Sequence, residues 1–138
     1  MLQRIQTLWL LLAGILAFLT IRLSIYSGTR VTEGINEFDQ VNAGSSLFLL
    51  IFTVGLGLVP LIAIFLYKNR GMQIKLGLAA LGVYIICSLF YYMKIKPFTN
   101  GNFTIWSGLY FLIPVFLLLA IRGIYKDIKL VKSIDRLR

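Results

Sequence analysis

The sequence predicts an all-α integral membrane protein: a bundle of four transmembrane helices followed by an amphipathic helix in the cytoplasm. Three observations predict it. The 138 residues are 59% hydrophobic and only 14% charged, against about 25% charged in a typical soluble domain. Four apolar runs follow one another with short polar segments between them, and Lys and Arg gather in alternate segments. An apolar excess of this size requires contact with lipid. A spanning helix takes roughly 20 residues, so four of them leave room for one loop of any size and no second domain.

The first run, Leu8 to Ile21, extends to a span over about 5–26 when Arg4 and Arg22 snorkel to opposite interfaces. Arg4 ahead of an apolar stretch also resembles a secretory signal, but no A-x-A-like cleavage site follows, and the run reads as a retained helix. The second, 47–67, carries no charge, and the third, 76–93, is bracketed by Lys75 and Lys94. The fourth, 103–121, has Trp106 and Tyr110 near its start, where aromatic rings favour the interface, and Arg122 at its close.

Orientation follows from the basic residues, because short loops rich in them stay on the cytoplasmic side. Arg4, the second loop (Lys68, Arg70, Lys75) and the tail from Arg122 onward hold most of them, whereas the first loop has Arg22 and Arg30 and the third has Lys94 and Lys96. Both termini are therefore expected in the cytoplasm of a multi-pass membrane protein. The second connection reads as a tight turn around Asn69-Arg70-Gly71. The loop 27–46 is the long extracytoplasmic one, and its apolar residues Val31, Ile35, Phe38 and Val41 suit one face of a short helix, with a hairpin or an unstructured loop as the competing readings.

The spans hold little chemistry. No ionisable residue sits in the middle of one, which argues against a proton relay, a carboxylate pair or a nucleophile with its base. There is no histidine, and the single cysteine, Cys87, reads as a small buried hydrophobe with no disulfide partner. No catalytic residue, cofactor, metal or small-molecule substrate is inferred. Pro60 and Pro114 read as packing kinks, with release of carbonyls for an ion site as the alternative. Gly55, Gly57, Gly77 and Gly82 permit close helix approach. Tyr84, Cys87, Ser88, Tyr91 and Tyr92 form a polar group that would suit a lipid or quinone-like pocket. Asn102-Phe103-Thr104 matches the glycosylation pattern, a common chance match.

The tail, 122–138, is the most specific feature. At 100° per residue Arg122, Lys126, Lys129, Lys132, Ser133 and Arg136 fall on one side, and Ile124, Ile128, Leu130, Val131, Ile134 and Leu137 on the other. The basic face suits anionic lipid headgroups. Asp127 and Asp135 fall among the apolar residues, which favours a protein surface, either a partner or the chain's own second loop. The expected partner-binding residues are Arg122, Lys126, Asp127, Lys129, Val131, Lys132, Ile134, Asp135, Arg136 and Arg138. A ribosome or other RNA is the weaker reading, since only Tyr125 interleaves an aromatic ring.

The two ends of the chain carry a resemblance. Met1-Leu2-Gln3-Arg4-Ile5-Gln6-Thr7-Leu8-Trp9-Leu10, Gly108-Leu109-Tyr110 with Pro114, and then Arg122, Ile124, Lys126-Asp127, Lys129-Leu130-Val131, Ser133 and Asp135-Arg136-Leu137-Arg138 resemble an uncharacterised Bacteroidota family of small four-span inner-membrane proteins, a domain of unknown function. Ile121, Gly123 and Tyr125 depart from its usual Asn, Ala and Arg. The resemblance implies a bacterial inner membrane and four spans, and it implies no activity. The departure at Gly123 raises a bend there as the alternative to a fourth helix that runs straight into the tail.

Function is thus expected to be non-enzymatic: an accessory or scaffold subunit of a bacterial inner-membrane complex, docking through the tail onto an inner-membrane or cytoplasmic protein. The alternative is a small oligomeric transporter or channel, because four short spans enclose little cavity on their own.

Overall fold

The computed structural model describes residues 2–32 and 34–135. The chain is mostly helical, with α1 (Leu2–Leu19), α2 (Leu47–Phe65), α3 (Arg70–Ile95) and α4 (Ser107–Asp135). Between them lie β1 (Tyr26–Thr32), β2 (Ile35–Val41) and β3 (Phe98–Phe103). Helix α1 packs on α2 and α4, and α3 packs on the same two from the other side. Each helix lies beside its neighbour in sequence, and α4 closes back on α1.

Inward-facing positions repeat at steps of three and four. Buried residues are Leu10, Ala13 and Ala17 in α1, Leu49, Thr53, Leu56, Pro60 and Ala63 in α2, Gln73, Gly77, Ala80, Cys87 and Tyr91 in α3, and Tyr110, Ile113, Leu117, Ala120 and Ile124 in α4. That spacing is the seam of helices crossing at a shallow angle. Many seam residues are small, which lets backbones approach where lipid supplies no hydrophobic drive between helices and packing must hold them. Gly57 faces the Phe18 ring and Gly77 the Ile121 side chain so closely that a Cβ on either would clash, whereas Gly55 and Gly82 face open space. Two ring stacks, Trp9 on Phe116 at 5.4 Å and Phe52 on Phe90 at 5.6 Å, tie α1 to α4 and α2 to α3.

Three helices, Leu47–Phe65, Arg70–Ile95 and Ser107–Ser133, are long and apolar enough to cross a membrane. The apolar stretch of α1, Ile5–Leu19, is shorter. The helix does not extend to Tyr26 as the sequence suggests. It ends at Leu19 and turns through Thr20–Leu23, because Thr20 is buried and its hydroxyl donates to the Ala17 carbonyl at 2.7 Å, and Tyr26 then opens a strand.

The all-α expectation also needs correction, since the two connections at the α1 C-terminal end form a three-stranded antiparallel sheet of order β2-β1-β3. The long loop is a hairpin and not a helix. Thr32 pairs with Ile35 around the turn, and Gly34 takes a positive φ of 81° that disfavours a side chain. The apolar spacing over 31–41 resolves as strand alternation: Ile35 and Val41 share one face and Phe38 lies on the other. Strand β3 is built from Asn100-Gly101-Asn102, poor strand formers that pair because β1 offers its free edge. Gly28 and Gly101 meet at that pairing, where a Cβ on Gly101 would strike the Tyr26 ring. Tyr26 packs edge-on against both Phe98 and Phe103.

Candidate functional site

At the end opposite the sheet, α4 passes Gly123 without a break and runs on to Asp135. Gly123 is needed there for closeness: a Cβ would come within 2.8 Å of Gln6 Cγ. The gap lets Gln6 lie against α4, and its Nε2 donates to Asp127 Oδ2 at 2.7 Å. Both residues are buried. From the other flank Arg70, at the start of α3, donates through Nη1 to the Asp127 carbonyl at 3.2 Å. Asn69 caps α3 by accepting from the Met72 N–H, which fixes where Arg70 begins. Two segments, α1 and the start of α3, thus converge on one turn of α4.

This places the tail residues expected to bind a partner in two groups. Asp127 is not displayed on the surface, because it is occupied by Gln6 within the chain. It does meet the second connection, through Arg70. Beyond it the helix leaves the bundle. Lys129, Leu130, Val131, Lys132 and Ser133 are all exposed, as are Arg122 and Lys126 one and two turns back. Ser133 donates to its own helix at Leu130 O, 2.7 Å away, so its hydroxyl caps the backbone. A shallow hollow of about 310 Å³ lies among Lys126, Lys129, Leu130 and Ser133. The side chains of Ile134 and Asp135, together with Arg136 and Arg138, lie outside the described residues.

The polar group of α3 is brought together with α4. Ser88 Oγ is 2.9 Å from both the Tyr84 carbonyl and the Tyr110 hydroxyl, and the Tyr84 and Tyr110 rings stack at 4.8 Å. Tyr91 stands edge-on to Tyr110 at 5.1 Å. A small cavity of about 190 Å³ adjoins them, lined by Ser88, Tyr91, Tyr92, Tyr110, Phe103 and Phe111 among others. Cys87 is buried and free. The Ser88 and Tyr110 hydroxyls pair and stitch α3 to α4, whereas the buried Tyr91 hydroxyl has no hydrogen-bond partner among the described residues. Tyr110 was the member missing from the sequence reading, and its i+3/i+4 position relative to Ser107, Ile113 and Leu117 marks it as inward-facing.

No curated protein and no solved structure matches the chain. One family model matches residues 2–137, nearly the whole length, and therefore spans the helices, the sheet and the tail alike. The chain belongs to that family, described as a domain of unknown function (DUF4293).

Proposed function

We propose that the protein is a non-enzymatic accessory or scaffold subunit of a bacterial inner-membrane complex, anchored by four spans with both termini in the cytoplasm, and docking through the exposed end of α4. The observation that carries this reading is that α4 outruns the bundle. Its 29 residues reach about 43 Å at ~1.5 Å per residue, more than the roughly 30 Å of a hydrocarbon core. The excess is an amphipathic cytoplasmic helix exposed all round at Lys129–Ser133, where Leu130 and Val131 are uncovered beside the lysines. Uncovered apolar side chains outside lipid favour a protein surface.

A fourth span is supported by the outward row of α1. Ile5, Leu8, Leu11, Ile15 and Leu19 are exposed at helical spacing, a stripe suited to lipid on a helix whose other side is filled by α2 and α4. Arg4, Lys68, Arg70, Lys75 and the basic residues of the tail on one side, against Arg22, Arg30, Lys94 and Lys96 on the other, keep the positive-inside bias. The transporter alternative needs an opening at Pro60 or Pro114. Pro60 is fully buried, and close contacts among Gly14, Gly57, Phe18 and Leu61 fill that level of the bundle.

The test is purification in mild detergent at native expression, with partners identified by mass spectrometry. Because Asp127 holds the bundle together, the deletion starts at Lys129 and not before it. The expected result is a defined partner recovered by the full chain and lost from the truncated one, with unchanged thermal unfolding. Recovery of the protein alone, with crosslinks only to lipid, overturns the reading.

A further inference from the structure

At the sheet end, a cavity of about 360 Å³ lies between β1 and the facing ends of α2 and α3. We propose that it binds a phosphate-bearing amphiphile, with the phosphate held by Arg30 and Lys94 at the start of α2 and the hydrocarbon laid along Phe48, Phe90 and Met93. Arg30 comes from β1 and Lys94 from the last turn of α3, and both line the same cavity. The third source of positive potential is α2 itself. It starts after Ser46, which also lines the cavity, with no side-chain cap and no acid in its first turn. The first N–H groups of a 19-residue helix therefore add their partial positive charge to the two cations.

Among the described residues no acidic side chain pairs with Arg30 or Lys94. Glu37 stands opposite Arg30 across the β1–β2 ladder but makes no ion pair with it. The carbonyls at the end of α3 favour Lys94 but leave the Arg30 guanidinium and the first N–H groups of α2 without an anion, and phosphate oxygens suit guanidinium, ammonium and backbone N–H donors alike.

The wall opposite is apolar and outward-facing. Phe48 is 64% and Met93 66% exposed, and Phe90 is fixed by its stack on Phe52. A free anion has no use for that wall, and a plain hydrocarbon has none for the mouth. An amphiphile uses both, and the site sits where the apolar helices give way to the sheet, the depth at which a lipid headgroup lies. The inference rests on the chain spanning a membrane and not on the tail as a docking surface.

The test uses the full chain, delipidated in detergent, and three probes read by native mass spectrometry: phosphatidylglycerol, diacylglycerol with the same acyl chains, and inorganic phosphate. Phosphatidylglycerol is expected to bind at least about tenfold tighter than either other probe, and R30Q/K94Q to weaken it by about tenfold or more. K126Q/K129Q/K132Q is expected to retain it, which separates this site from lipid held at the tail. Should R30Q/K94Q fail to fold by thermal unfolding, Met93→Glu, which sets an acid on the wall and leaves both cations, is expected to produce the same loss. Diacylglycerol binding as tightly as phosphatidylglycerol, inorganic phosphate binding as tightly as the lipid, or undiminished lipid binding in the variants would each overturn the proposal.

Discussion

Gln6 and Asp127 are joined by a buried 2.7 Å hydrogen bond although they stand 121 positions apart, and the contact fixes where α4 stops packing on α1. Replacing Asp127 with Leu removes the acceptor and strands the Gln6 amide. A buried donor left without a partner costs about 1–3 kcal/mol. The expected outcome is a lower unfolding temperature in detergent for D127L, a smaller drop for D127N, which keeps an acceptor oxygen, and a coupling of about 1 kcal/mol in the Q6A/D127A cycle.

Gly123 and Gly82 give a matched pair. A methyl on Gly123 meets Gln6 Cγ at 2.8 Å, whereas one on Gly82 meets nothing within 4 Å. Gly123→Val is expected to destabilise by about 1–3 kcal/mol through overpacking, and Gly82→Ala to be neutral or to stabilise by up to about 1 kcal/mol from helix propensity. Thermal unfolding of the two variants in the same detergent reads the difference. Equal effects would mean that α1 and α4 are not packed through Gln6.

At the sheet, Gly28→Ala would drive a methyl into the Asn100 carbonyl and Gly101→Ala one into the Tyr26 ring. Either change should detach β3 from β1 and leave the β1–β2 hairpin in place. Limited proteolysis is expected to cut both variants between Lys96 and Thr104 at least several-fold faster than the native chain. Unchanged cleavage there would count against the pairing.

Sidedness is read by labelling an introduced cysteine with an impermeant maleimide in intact cells. Cys87 is buried, so the background is low. Phe38→Cys should label without permeabilisation and Ser133→Cys only after it. The reverse pattern would invert the orientation.

The second, third and fourth helices were legible in the sequence, because unbroken apolar runs of this length leave few alternatives. Their inward stripe was legible too, once steps of three and four were followed through Ile113, Leu117, Ala120 and Ile124. The tail was readable as basic, and the placing of Asp127 off its basic side was the signal that it faces something polar. What it faces was not readable: Gln6 lies at the other end of the chain, and nothing local in either residue points to the other. Strand β3 was hidden for a similar reason. Asn100-Gly101-Asn102 has the composition of a turn, and it becomes a strand only because β1, held beside β2, has an edge to offer. The bend considered at Gly123 rested on its departure from the usual Ala of the resembling family, which does not reveal the Gln6 side chain that fills the space the glycine leaves.

The sheet also sets an order of events. Thr29 and Asn100, 71 positions apart, share a hydrogen bond across β1 and β3, while β1 and β2 are separated by a two-residue turn. During synthesis the hairpin is complete early, but its other edge stays unpaired until the whole of α3 has been made and the segment after it has emerged on the same side. An open strand edge is a template for the wrong neighbour. The growing chain therefore passes through a stage in which its vulnerable surface is an exposed ladder of backbone donors and acceptors. When the last connection arrives it pairs with that ladder and leaves β2 and β3 as the edges of the sheet.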